Sequence, residues 1–324
     1  MKRSFIACVM AAAFAAAGTA AAAEFEMQFG GGLSEEHPHT IAHRFFARRV
    51  GELTGGRVEI TVFPSNQLGA ERERAEALQM GTLEFTKVMT SVLANFMPEM
   101  NVFSLPYLYK GDDHFKAVIK SDICKNMMRN LEKVGIKGVA WYFAGNRCIY
   151  NSRRPIKTPA DMRGLKIRVP ENPVMIDTIN AMGGTGVPVN LAEIYTSIRT
   201  GVVDGAENST LFYYEQKHSE VAKFYSYTNH MVDTNISIMS LAAWNLLPGD
   251  CRDAVEQAGR ETEDFLFAEW TRIEADFNKK LEGQGIAFNE AEVDAFREAC
   301  RAVWEKHGSR LPAGLIDSIL NVKY

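Results

Sequence analysis

The residues best placed to do chemistry lie in Gly164-Leu-Lys-Ile-Arg-Val-Pro-Glu-Asn-Pro-Val174, where Arg168 stands between a strand and a helix start. Leu165, Ile167 and Val169 alternate with polar neighbours, as in a half-buried strand. Asn172 before Pro173 reads as an N-cap with proline at the first helical position. A helix N-terminus beside a guanidinium offers backbone N–H groups, partial positive charge and a planar five-donor fork, a set suited to a carboxylate. Other anion and hydroxyl partners recur at predicted element ends: Glu71, Arg147 and Asn208.

Other chemistries find less support. His39 and His43 have the i, i+4 spacing of a zinc pair, but His-Thr-Ile-Ala-His lacks the glutamate of a zinc hydrolase and no third ligand stands out, so they read as helix-surface histidines and no metal is expected. Gly30-Gly31-Gly32 is followed by no phosphate-loop or dinucleotide pattern, and reads as a close backbone approach to a ligand or a tight strand exit. There is no Gly-x-Ser-x-Gly elbow. The expectation is a binder of a small polar acid, without cofactor, and not an enzyme.

The elements that must position these residues follow an α/β rhythm. Strands are predicted at 25–29 and 57–63. Helices follow, one from a Ser34 cap to about Leu53 and one over 72–80. The rhythm recurs with strands at 137–143 and 165–169 and a helix at 173–182. A further helix runs from Asn190, with Glu193 in capping-box position, to Gly201. This order implies a largely parallel sheet, and the lack of a Pro/Ser-rich linker implies two lobes joined by several short crossings. The proline-free stretch from Gly249 to Leu281 keeps helical spacing of apolar residues; at 1.5 Å per residue it reaches about 50 Å, enough to brace two lobes.

At the N-terminus, Lys2 and Arg3 precede an apolar run from Phe5 to Phe14 and then Ala21-Ala22-Ala23, the pattern of a signal peptide over 1–23 cut before Glu24. Its removal turns the formal charge of −4 into −6, since two cations go. Mild acidity argues against a nucleic-acid partner. Four cysteines remain, at 124, 148, 251 and 300, without paired spacing, and a disulfide is left open.

Four blocks resemble one family: His37-Pro-His-Thr-Ile-Ala-His43 continuing to Phe85, Phe103-Ser-Leu-Pro-Tyr-Leu-Tyr109, Pro159-Ala-Asp-Met-Arg-Gly164 continuing to Val174, and Asn190-Leu-Ala-Glu-Ile-Tyr195 continuing to Asn208. In order and spacing the chain resembles the solute-binding proteins of tripartite ATP-independent periplasmic (TRAP) transporters. The resemblance implies a type II periplasmic-binding-protein clamshell of two α/β lobes with mixed sheets and hinge crossings, the long helix spanning both. The lobes expected are 24–145 plus 234–273 and 146–233 plus 274–300, with 301–324 as C-terminal helices packing on them. It implies that Arg168 forms a two-pronged bridge to a ligand carboxylate, that Arg147 and Asn208 assist, and that Glu71 meets hydroxyls or an ammonium. His37, Phe212 and Tyr213 fall where family pockets have walls. Ser209 departs from the proline of many relatives and is expected to loosen the chain after Asn208.

The function implied is periplasmic capture of a small organic acid by a monomer that delivers it to TRAP membrane subunits. Glu71 and His37 favour a sugar acid such as a uronate or aldonate over a C4-dicarboxylate, a small sulfonate or a zwitterion such as an amino acid or ectoine. A sensor partner and a periplasmic enzyme on the same scaffold are the alternative classes.

Overall fold

The computed structural model describes residues 22–324; most of the expected signal peptide lies outside the described residues. The described residues form nine strands: β1 (Phe25–Gly30), β2 (Val58–Phe63), β3 (Phe85–Met89), β4 (Ile136–Asn151), β5 (Lys166–Val169), β6 (Thr185–Pro188), β7 (Gly205–Asn208), β8 (Phe224–Ser240) and β9 (Ala287–Glu290). They pair in the order β2-β1-β3-β8-β4-β7-β5-β6, with β9 on β8.

The sheet is mixed, as the family resemblance implied, which corrects the largely parallel expectation drawn from the rhythm alone. Pairs made through helical crossovers are parallel, as in β1–β2, β1–β3, β5–β6 and β5–β7. β4 and β8 run antiparallel to each other, and β3 and β7 join them antiparallel. The reason is their length: at 16 and 17 residues, β4 and β8 pass through both halves of the molecule and tie two βαβ regions into one sheet. Sequence reading found only the first half of β4, because Gly145 interrupts its alternation. The β4–β8 register shifts between Phe143 and Asn146, and Gly145 has φ 81°. A Cβ there would lie 2.8 Å from Ser209 Cβ and 3.1 Å from Trp270, so the bulge and the glycine go together.

Apolar packing is grouped accordingly. One large core gathers side chains mainly from 27–144 and 232–273, including Phe29, Phe85, Trp141 and Trp270, and is joined by Val174, Leu211, Val303 and Ile319. Two smaller cores lie beyond the bulge, one around Ile167, Met175 and Phe296, the other around Tyr150, Tyr213 and Tyr225. The 34-residue helix Gly249–Glu282 crosses from one group to the other: Val255, Leu266 and Trp270 enter the large core and Leu281 the third. Close passage over β4 requires Gly259, where a Cβ would sit 2.5 Å from the Val139 carbonyl oxygen.

Local corrections have simple causes. The helix Pro38–Leu53 is capped by His37, not Ser34, because Pro38 fixes the first helical position and His37 Nδ1 accepts from His39 N at 3.0 Å. The stretch after Asn190 makes a 3-10 turn at Leu191–Glu193 before the helix Ile194–Arg199, and Asn190 makes no side-chain cap. Asn172 does cap the helix Pro173–Ala181, accepting from Val174 N and Met175 N. Cys124, Cys148, Cys251 and Cys300 are buried free thiols.

Candidate functional site

Five neighbouring strands each bring polar side chains to one cleft. Lys87 comes from β3, Asp233 and Asn235 from β8, Arg147 from β4, Asn208 from β7 and Arg168 from β5. In β3, β5 and β7 these residues lie near the carboxyl ends, where parallel strands commonly offer ligand sites. The cleft has a volume of about 620 Å³, large enough for a small sugar.

Arg168 is 3% exposed, and only its Nε is committed, donating to Val189 O at 2.8 Å. Its two terminal nitrogens make no protein hydrogen bond among the described residues and face the cleft. Burial, with Arg147 nearby, lowers its pKa to about 10, against the pull of Glu207. The charge persists at neutral pH and lacks a partner, which is the state that a carboxylate relieves.

Asn208 is oriented by the residue after it. Ser209 N donates to Asn208 Oδ1 at 2.8 Å, leaving the amide Nδ2 without a protein partner among the described residues. Ser209 Oγ also caps the helix Thr210–Glu215. Serine thus tightens the turn, correcting the expectation of a loosened chain; a proline lacks the N–H that fixes this amide.

Arg147 is differently employed. Its Nε and Nη2 engage both carboxylate oxygens of Glu207, Nη2 also reaches Glu207 O at 2.9 Å, and Nη1 engages Asp233. It borders the cleft but has most donors occupied, so it is chiefly the keystone of a buried ionic cluster. Burial would raise the Glu207 carboxyl, yet Arg147 and His230 hold it at about 2.

From Asp233 the network continues into the first half of the molecule. Asn235 Nδ2 donates to Asp233 at 2.7 Å, Lys87 Nζ donates to Asn235 at 2.8 Å, and Glu71 Oε1 accepts from Lys87 Nζ at 3.2 Å and Met89 N at 3.0 Å. Glu71 Oε2 makes no protein hydrogen bond among the described residues. Burial pushes the Glu71 carboxyl up, but Lys87 and Arg74 keep it below its ordinary value, so it faces the cleft as an acceptor. Buried Arg74 fills the space under the triple glycine: a Cβ at Gly30 would meet its Cδ at 2.6 Å, and one at Gly32 its Nη2 at 3.2 Å. The glycines therefore make room for an arginine as well as for the strand exit.

His37 and Phe212 line the cleft. Tyr213 does not: it is fully buried, its hydroxyl donates to Ala222 O, and its ring packs on Tyr150 and Tyr225, because helical spacing turns it away from its neighbour Phe212. His39 and His43 are also buried, against the surface reading. His39 Nε2 donates to Phe143 O at 3.0 Å, and His43 stacks on Phe29 at 4.1 Å. Burial lowers His39 to about 3 and His43 well below its usual range. Among the described residues, no group of three or more His, Cys, Asp or Glu side chains is arranged to hold a metal.

Sequence reasoning missed Lys87, Glu207, Asp233 and Asn235. The signal for Lys87, Asp233 and Asn235 was available as polar residues inside apolar strands, in Phe-Thr-Lys-Val-Met and Val-Asp-Thr-Asn-Ile, and Glu207 stands next to the recognised Asn208.

Comparison with known proteins decides the family. The model for bacterial extracellular solute-binding protein family 7 matches residues 29–310. The chain belongs to that family. Among solved structures, this family 7 protein is similar to a TRAP periplasmic solute-binding protein from Roseobacter denitrificans with bound β-D-glucuronate, at 30% identity and a TM-score of 0.89 over 92% of this chain and 100% of the other. It is also similar to one from Sulfitobacter sp. NAS-14.1 with bound β-D-galacturonate, at 32% identity and a TM-score of 0.87 over 92% and 98%. The C4-dicarboxylate-binding periplasmic protein of Rhodobacter capsulatus is 31% identical over 81% of this chain and 77% of its own. This family 7 member is therefore an extracytoplasmic TRAP solute-binding protein with the type II periplasmic-binding fold.

Proposed function

We propose that the protein captures a sugar acid carrying a single carboxylate, a uronate or aldonate, in the periplasm and releases it to TRAP membrane subunits. The observation that carries the ligand class is the charge balance of the cleft. Four buried cations, Arg74, Lys87, Arg147 and Arg168, stand with three carboxylates, Glu71 and Asp233 on the cleft wall and Glu207 behind it, bound to Arg147. One positive charge is left over, and the geometry leaves it on Arg168, whose fork is free. A dicarboxylate would bring one negative charge too many into a site already walled by Glu71. The other charged residues lining the cleft, Arg72, Glu73, Glu171 and Glu193, are exposed and screened, and count for little.

In this reading Arg168 takes the carboxylate in two-pronged fashion, Asn208 Nδ2 donates to it, and Arg147 adds one remaining N–H. Glu71 Oε2 accepts from ligand hydroxyls, and His37 and Phe212 close the wall. The residues 24–145 plus 234–273 and 146–233 plus 274–300 act as lobes that close by bending at the Gly145 bulge, with 301–324 packed against them. The chain acts as a monomer and leaves the ligand chemically unchanged, and its signal peptide is cut between Ala23 and Glu24. The relatives support uronates by two bound structures, while the Rhodobacter capsulatus protein keeps a dicarboxylate in the comparison.

A thermal-shift screen of ligand-stripped mature protein tests this. D-glucuronate, D-galacturonate or an aldonate raises the melting temperature by mass action, while succinate, a sulfonate and ectoine do not. A shift from succinate alone would overturn the ligand class.

A further inference from the structure

Beyond the ligand-facing side chains, the rim of the cleft carries a contact between its two sides. Ser34 Oγ donates to Glu215 Oε1, and His37 Nε2 stands 3.7 Å from Glu215 Oε2. Ser34 and His37 follow β1, whereas Glu215 ends the helix Thr210–Glu215 after β7. Leu33 strengthens the crossing: it is buried in the apolar cluster of Phe212, Ile194 and Tyr150, whose members otherwise come from beyond the Gly145 bulge. Glu215 does not line the cleft. Its Oε2 is buried without a hydrogen bond, an unusual state for a carboxylate oxygen.

We infer that Ser34, His37 and Glu215 form a clasp across the cleft rim, made as the two sides close, with Glu215 taking up a proton when it is made. Glu215 is a positioning residue: it acts on the ligand through His37 and through closure. The inference rests on the clamshell reading but not on the identity of the ligand.

The chemistry of the pair supports this. His37 Nδ1 is occupied as an acceptor from His39 N, so its proton sits on Nε2, facing Glu215 Oε2; on taking up a proton Glu215 therefore carries it on Oε1 and donates it to Ser34 Oγ, whose hydroxyl hydrogen turns away, while Oε2 stays an acceptor toward His37. Burial, with His39 and Lys87 nearby, holds His37 well below its usual pKa, so it stays neutral and does not compensate a carboxylate. Among other charged groups Glu36 acts on Glu215, and the long helix, packed on the helix Thr210–Glu215, brings Glu274 to Thr210 and Lys280 to the Tyr214 ring. Burial, with Glu36 adding repulsion, raises the Glu215 carboxyl from 4.5 to about 7.

The sign follows. An open cleft leaves Glu215 at its ordinary value, and a closed one raises it, so closure is favoured at low pH and loses that favour as pH rises toward about 7. By proton linkage, closure gains roughly 20-fold between pH 7.5 and 5.5.

The test is hydrogen–deuterium exchange of the mature, ligand-free protein at pH 5.5 and 7.5, corrected for intrinsic rates, in the wild type, Glu215→Gln and Ser34→Ala, with release of D-glucuronate followed in parallel. Segments 33–37 and 210–216 should gain protection together at pH 5.5 in the wild type. Glu215→Gln, neutral at every pH, should be protected at pH 7.5 and flat with pH, and Ser34→Ala should lose protection in both segments. D-glucuronate should leave the wild type more slowly at pH 5.5, and leave Glu215→Gln slowly at both. The same pH response in Glu215→Gln, or two segments that exchange independently, would overturn the clasp. If D-glucuronate fails to bind the wild type, the sugar-acid reading falls, and exchange alone judges the clasp.

Discussion

At the residue scale, the site is organised by the contrast between two buried arginines. Arg147 spends its fork on Glu207 and Asp233, while Arg168 keeps its fork free. Removing either should have opposite consequences. Arg147→Met leaves two buried carboxylates unpaired, so it should cost roughly 3–5 kcal/mol of folding stability, read from urea denaturation. Unchanged stability would show that the cluster is well solvated. Arg168→Ala should leave stability nearly untouched or raise it, since no protein carboxylate depends on it. The acid limb of stability belongs here too. Glu207 lies at about 2 in the folded protein against an ordinary 4.5, so its contribution is complete above 4.5 and is lost as pH falls through about 2. Urea midpoints measured from pH 6 down to 3 should fall, and less steeply in Glu207→Gln.

Arg168, Asn172 and Pro173 were legible in the sequence because their chemistry is local: a strand end, a cap and a proline fix one another within six residues. Arg147 was legible as a candidate, but its partners were not, since Glu207 and Asp233 lie 60 and 86 residues away and meet it only through strand pairing. Tyr213 and the His39–His43 pair were misread for a related reason. Which face of a short helix is buried depends on what covers it, and the cover comes from β4 and β8.

At the element scale, β4, β8 and the helix Gly249–Glu282 carry the architecture. Periodicity revealed the helix because it has no interruption, and hid the full length of β4 because Gly145 and the register shifts break its alternation. The same crossing sets a strict size limit at Gly259, against the Val139 carbonyl. Gly259→Val should overpack this contact and lower stability by about 1–3 kcal/mol, measured by urea unfolding. A variant as stable as the wild type would mean that the helix can shift away from β4 at no cost. The parallel-sheet expectation failed at this scale, because βαβ rhythm specifies each half of the sheet but says nothing about strands that pass through both.

At the scale of the whole molecule, two α/β halves, one continuous sheet and a bracing helix hold a cleft whose buried charges leave one positive charge uncompensated. Family membership accounts for binding and transport, and in the proposed reading the charge balance favours acids with one carboxylate. The clasp at the rim adds a pH term to closure, with His37 as its one member on the cleft wall.

The most direct test is isothermal titration calorimetry of the mature wild type and Arg168→Ala with D-glucuronate, D-galacturonate and succinate. The account predicts that a uronate binds the wild type, that succinate binds far more weakly, and that Arg168→Ala loses roughly 2–5 kcal/mol, about 25-fold to a few thousand-fold in affinity. Equal uronate affinity in the variant, or tight binding of succinate alone, would contradict it.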